Sequence, residues 1–508
     1  MRQASIVFSR GRLFAQPGAD SLAISGDRIL AVGGTEDIEP LVGAETRTID
    51  LDGRFLMPGF IDAHLHLFHT GLSLSGWQID LSGLNREETL ARIGDAVRER
   101  GRGEWVIGSG WDESRWRVRD YLSRAELDAV APDSPVLASR MDGHILTANS
   151  RAFDWMEGQR IPGLDPGLVD GAGGWVREES VSALLGEIEP DDTALRAAVD
   201  AAAVHYHRCG LTSVHTMTDA RRLASLEARC AAVRLRTTVY APVGKGFEGR
   251  RVGANEGQPN PWLRIGGAKL FADGSIGARN AAVSEPYTEG GIGKLNWDET
   301  ELQGEIERAE RAGHPLAIHA IGDRAIEQVI GIHERLGTSR ALRHRIEHFE
   351  LPTPGHIERA RDAGLTVCMQ PNFIGNWSGP GSLYVDRLGA ERDCASNPLR
   401  RVVDAELPLA FGSDGMPIGP LYGLQWAVNA PYPGQRLSVA EALVRYTEAP
   451  ARLSFEEDRK GKLEPGMLAD LVVLDEDPAA SPDRIDQRRV EMTFVGGECV
   501  YRRGGECM

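Results

Sequence analysis

The sequence predicts an α/β protein: a (β/α)8, TIM-like barrel, a small discontinuous β-sandwich domain and a long insertion after the first barrel strand. Three observations predict it. Strand-like apolar runs alternate with helical patterns through the middle of the chain, the pattern of βα units around a parallel sheet. Several of these runs close on residues able to hold a metal or move a proton: His64-Leu65-His66, Lys269, His319, His348 and Asp414. In a closed parallel barrel the strand ends converge on one face, where the chemistry is placed. Finally, both ends of the chain read as short strands broken by Gly and Asp turns, and neither supplies a core alone.

Taken in order, Ser21-Leu22-Ala23-Ile24, the turn Ser25-Gly26-Asp27 and Arg28–Gly34 open the small β-domain. Leu468–Asp475 and Val490–Gly497 resemble them at the other end. Residues 1–56 and 463–508 are therefore expected to form one composite sandwich, with a barrel over 57–462 between them. The expected barrel strands are Pro58–Ala63, Ser213–Thr216, Arg236–Ala241, Ile265–Phe271, Leu316–Ala320, Arg345–Phe349, Thr366–Gln370 and Leu409–Gly412. Helices fit over Glu299–Ala312, over Arg324–Leu336 with Asp323 as its N-cap, and over His356–Ala363. The first gap is too long for a βα connection. It carries strand-like pieces of its own, Trp105–Gly108 and Pro135–Arg140, and reads as an inserted subdomain over about 80–200. Residues 243–260 and 375–384 read as loops, the second as a lid.

Composition narrows the partners. Lys and Arg number 57 against 74 Asp and Glu, a net charge of −17. With no basic runs, this argues against nucleic acid and anionic membranes as partners; the small-molecule substrate expected is what the resemblance described below implies. No segment is apolar for long enough to span a bilayer, and the N-terminus has no secretory pattern, so a cytoplasmic location is expected. The assembly expected is a homodimer. The six cysteines show no paired spacing and read as reduced thiols.

The chemistry rests on spacing. His64 and His66 lie two apart on a strand, so both imidazoles point into the barrel and can grip one ion. His205 and His207 have the same spacing in a helical, Ala-rich context, where i and i+2 diverge, so they are not ligands. Lys269 sits in an apolar strand, where a charged amine is costly to bury. Either its neutral amine reacts with CO₂ to give a metal-bridging carbamate, or its ammonium pairs with Asp273 or substrate. His319 and His348 end successive strands and read as further ligands. Asp414, in Phe-Gly-Ser-Asp-Gly after the last strand, reads as a weak ligand and proton acceptor. Such a set suits a divalent ion such as Zn²⁺, Mn²⁺ or Co²⁺.

Together these pieces resemble the amidohydrolase superfamily. The resemblance is carried by Met57–His66, Ile318–Asp323, Arg345–His348, Gly412–Asp414 and the re-entry Gly461–Leu471. Lys269 in Lys-Leu-Phe-Ala-Asp-Gly-Ser-Ile-Gly-Ala-Arg, the long first insertion and Asp142-Gly143-His144 narrow it. That branch, amidohydrolase family 3, includes N-substituted formamide deformylases. The resemblance implies hydrolysis of a non-peptide C–N bond by metal-activated hydroxide. It implies two zinc ions, one held by His64, His66, Lys269 and Asp414, the other by Lys269, His319 and His348. A carbamate on Lys269 would bridge them, and a one-ion site with unmodified lysine is the rival. Asp414 would shuttle the proton. His144 would bind the carbonyl oxygen or substrate, joined in substrate binding by Trp111, Asp112, Arg279 and, on the lid, Trp377. The same site on an ester or phosphotriester, or in a lyase or isomerase, is the alternative, since fold does not fix substrate. A non-catalytic scaffold is disfavoured because the ligand residues are all retained.

Overall fold

The computed structural model describes residues 3–113, 116–141, 143–242 and 261–505. The loop expected over 243–260 lies outside them, as do Asp142 and Cys507.

Eight parallel strands pair in chain order: Phe60–Leu65, Leu211–Met217, Arg236–Pro242, Leu263–Phe271, Leu316–Ala320, Arg345–His348, Thr366–Met369 and Leu409–Phe411. Each overlaps one of the eight expected barrel strands, the first displaced by two residues because Pro58 belongs to the neighbouring strand Phe55–Pro58. Most of their residues are buried, as befits parallel strands covered on both faces. The barrel closes just beyond the last strand, where Ser413 and Asp414 donate their N–H groups to His64 O at 3.1 and 2.7 Å. This seam needs a residue without a side chain. A Cβ on Gly412 would lie 2.5 Å from the His64 backbone nitrogen. Gly412→Ala is therefore expected to destabilise the fold by about 1–3 kcal/mol, the usual cost of overpacking. Thermal melting checks this, and an unchanged Tm would refute the tight seam.

The helices follow local signals. Glu299–Ala312 starts on Asp298, whose side chain accepts from Glu301 N, and ends on left-handed Gly313. Pro354–Asp362 starts on Thr353. One expectation fails: Gly322, not Asp323, is the N-cap of Asp323–Leu336. The Asp323 carboxylate accepts from Ser284 N at 2.9 Å and ties down the loop after the fourth strand. Residues 375–384 are also not a simple loop, since helices Pro371–Trp377 and Leu383–Leu388 cover much of the segment. Pro371 at the first helical position favours the earlier helix despite the glycines that suggested a lid.

Both chain ends build the small β-domain. Ile6–Ser9, Ser21–Ser25, Arg28–Gly33 and Arg47–Asp50 form a four-stranded sheet. In the five-stranded sheet Phe55–Pro58 lies antiparallel to Leu471–Leu474, with Arg12–Leu13, Val490–Val495 and Glu498–Arg502 completing it. One core containing Phe8, Ile24, Leu56, Leu471, Val473 and Phe494 joins residues from both ends. Asp470 pairs with Arg236 at 2.6 Å, the first residue of the third barrel strand, and both are buried.

The chain divides into two compact units, residues 1–67 with 202–508, and residues 68–201. The second unit has its own six-stranded sheet, which includes Val106–Trp111 and Val136–Arg140. Its core includes Ile93, Val106, Trp111, Leu127 and Val136. His205 and His207 lie on the helix Asp192–Arg208. The five described cysteines are free thiols. Among the described residues no helix is long and apolar enough to cross a membrane.

Candidate metal centre

The first strand carries His64 as its last residue but one and delivers His66 just beyond its end at Leu65. The turn after the eighth strand brings Asp414 to both, with Oδ1 3.0 Å from His66 Nε2 and 3.5 Å from His64 Nε2. Asp414 takes a left-handed φ of 55°, and its backbone N–H is tied to His64 O. Beneath them, Asp62 accepts the N–H groups of His64 and Ser413 at 3.0 and 3.1 Å, locking the two strand ends together. Burial pushes the Asp62 carboxyl up to about 7 against these bonds.

The other two histidines complete the cluster. The His348 ring lies 5.0 Å from that of His64 and 4.5 Å from that of His319. In each of three histidines one ring nitrogen faces a group that accepts a hydrogen bond. His64 Nδ1 bonds to Glu347 Oε2. His348 Nδ1 lies 2.8 Å from Gln370 Oε1, whose amide nitrogen points instead at Cys368 O. His319 Nε2 lies 3.0 Å from Gly274 O. The proton must sit on those nitrogens, so the lone pairs are left on His64 Nε2, His348 Nε2 and His319 Nδ1. Fixing the tautomer through the far nitrogen is how proteins prepare imidazoles for a metal.

Electrostatics agrees with that reading. Burial, then the charge of Lys269, lowers His64 to about 4. Burial, then His64, lowers His348 to about 3, and burial with His348 lowers His319 well below its usual value. All three are neutral near pH 7, the form that coordinates. For Asp414, burial acts upward, but the bond to His66 and the neighbouring imidazoles outweigh it and hold the carboxyl below its usual range.

Lys269 points from the fourth strand into the same barrel. It is 2 % exposed, and its Nζ has no hydrogen-bond partner among the described residues. Burial lowers its ammonium to about 8 against the pull of Glu347 and Asp414. The alternative partner Asp273 is engaged elsewhere: its oxygens accept from Ile321, Gly322 and Ala282 N–H groups at 3.0, 2.8 and 2.9 Å.

A second triad, His64, Glu347 and Cys368, also has its donor atoms close together. It lies on the Nδ1 side of His64. There Glu347 is already bonded to His64 and lies 2.5 Å from Arg345, and burial raises the Cys368 thiol well above its usual value. That triad holds a protonated imidazole nitrogen and a neutral thiol, which a metal does not take. The donor set that fits a divalent ion is His64, His66 and Asp414, with His319, His348 and Lys269 alongside.

The amidohydrolase family profile matches residues 47–501. The chain belongs to the amidohydrolase family. It is 29% identical to the protein LONG AFTER FAR-RED 3 of Arabidopsis thaliana, over 98% of this chain and 92% of that one. It is 26% identical to an N-substituted formamide deformylase of Arthrobacter pascens, over 96% of each. An uncharacterized metal-dependent hydrolase from Pyrococcus furiosus superposes with a TM-score of 0.75 at 31% identity, covering 93% of this chain and 99% of that one.

In this amidohydrolase the residues expected to bind substrate fare differently. Trp377 closes the helix Pro371–Trp377 and packs on Phe373, 4.8 Å between rings, while Phe373 stacks on His348. That places Trp377 one ring removed from the histidine cluster. Arg279 is exposed and paired with Glu289. Trp111 is fully buried in the core of the second unit, with its indole N–H on Ala138 O at 2.8 Å. Its ring stacks on that of Trp116 at 5.8 Å. Asp112 is buried 3.9 Å from Arg140, and the half-buried His144 lies 2.9 Å from Glu178. Three residues escaped the sequence reading: Glu347, Gln370 and Asp273 in its role of anchoring the loops. For Glu347 a signal existed. Arg345 and Glu347 occupy alternate positions of a barrel strand, which puts both charges on one face.

Proposed function

We propose that the protein is a metal-dependent hydrolase cleaving a non-peptide C–N bond of a small molecule. The observation that carries this is the convergence of His64, His66 and Asp414, with the tautomers of His64, His319 and His348 already set for coordination. The likeness to an N-substituted formamide deformylase supports an amide-type substrate. A divalent ion, zinc by its donor set, would be held by these residues; when bound, such an ion makes water nucleophilic near neutral pH and polarises a carbonyl. Asp414 accepts the proton of the attacking water and returns it to the leaving nitrogen. The neutral histidines hold their ring positions throughout, since the far nitrogen of each of the three is anchored. His144 is proposed as a substrate contact on the strength of its sequence motif. Chelator treatment and metal restoration with a panel of amides, esters and phosphotriesters test this; turnover of phosphotriesters alone would refute it.

Lys269, buried and without a hydrogen-bond partner among the described residues, is proposed to carry a carbamate bridging two ions. The compact group His64, His66 and Asp414 favours the one-ion rival, because it needs no lysine. Two metals per chain and a carbamylated Lys269 are expected in a metal-replete crystal grown with bicarbonate. One metal per chain, or an unmodified amine, would decide for the rival.

A further inference from the structure

We propose that Arg345 and Glu347 are positioning residues whose buried ion pair sets the metal affinity of the site by clamping His64. The inference rests on the metal reading above.

Barrel interiors are usually filled with branched aliphatic side chains. Here the inward face of the sixth strand carries Arg345, 1 % exposed, and Glu347, 0 % exposed. An ion pair at that depth stabilises little, because desolvating both charges offsets most of their attraction. Its contacts show another use. Glu347 Oε1 lies 2.5 Å from Arg345 Nε, and its other oxygen, Oε2, takes the Nδ1 proton of His64. Arg345 is itself fixed from two further strands. Its Nη1 donates to His215 Nδ1 at 3.2 Å on the second strand, and its guanidinium lies 4.2 Å over the Tyr240 ring on the third.

The chain of contacts therefore runs from Tyr240 and His215 through Arg345 and Glu347 to His64. A carboxylate held against a fixed guanidinium can only accept a hydrogen bond, so His64 keeps its proton on Nδ1 and its lone pair on Nε2, facing Asp414. The carboxylate also raises the basicity of the imidazole as a ligand. Removing one charge strands the other, so a single neutral variant confounds folding with binding.

The test is the double variant Arg345→Met with Glu347→Gln, which removes both charges and keeps the volume. Its metal-free melting temperature is expected to stay within a few degrees of the parent. Its Zn²⁺ affinity, read by competition with a chromophoric chelator, is expected to fall about 10–100-fold. Parent-like affinity in the folded double variant overturns the proposal and leaves the metal reading intact. Should the double variant not fold, Glu347→Asp decides. It keeps a charge for Arg345 but withdraws the carboxylate from His64 by one methylene, and the same loss is expected, with parent-like affinity again overturning the proposal. A parent that binds no Zn²⁺, Mn²⁺ or Co²⁺ overturns the metal reading and this inference together.

Discussion

Stripping the protein of metal is expected to abolish hydrolysis, and adding Zn²⁺, Mn²⁺ or Co²⁺ to restore it. Nothing else among the described site residues replaces what a metal does. The three anchored histidines are neutral near pH 7, with burial the main cause, and neutral imidazoles present lone pairs rather than charge to a carbonyl oxygen. Asp414 can take a proton, but bulk water, with a pKa near ~15.7, is a poor nucleophile until a metal lowers that value to about 7. The loss should therefore span orders of magnitude. Fold should persist, because the strand ends are held by hydrogen bonds such as those of Asp62 to His64 and Ser413. Circular dichroism beside the rate separates lost chemistry from lost structure. Full turnover by folded, metal-free protein on its own substrate would end the metal reading.

Asp414→Asn is expected to lower kcat by about 10²–10⁴-fold, the usual contribution of a positioned general base. The amide keeps the shape and the backbone bond to His64 O, so the barrel seam survives. What is lost is an anionic oxygen 3.0 Å from His66 and 3.5 Å from His64, which is both a metal donor and a proton acceptor. Metal occupancy must be measured beside the rate to separate the two. A variant with parent-like turnover and full metal would leave Asp414 as a mere turn residue and move the proton shuttle elsewhere, His144 being the next candidate.

Much of this site was legible in sequence because strands impose a strict geometry. His64, His319 and His348 each come at the close of an apolar run; His348 is the last residue of its barrel strand, and His64 and His319 are the last but one. The helical pair His205 and His207 was separable from His64 and His66 by context alone. What the local sequence left open has a common physical cause. Trp111, in Gly-Ser-Gly-Trp-Asp-Glu, was expected to bind substrate, and its local sequence says nothing of its burial. It is a strand residue whose ring fills a core, and burial depends on neighbours distant in sequence such as Ala138. The Asp323 cap failed by one residue, because a tertiary partner, Ser284, competes for its carboxylate.

Local periodicity and residue chemistry were enough to find the barrel strands, the candidate ligands and the pairing of the chain ends. Which nitrogen is free on His64, His319 and His348 depends instead on the closed barrel. That choice is made by Glu347, Gly274 and Gln370, which reach His64, His319 and His348 from other strands or loops. Hydrogen bonds between residues far apart in the chain leave no periodic trace, so the protonation pattern that readies the site for a metal appears only when the barrel closes.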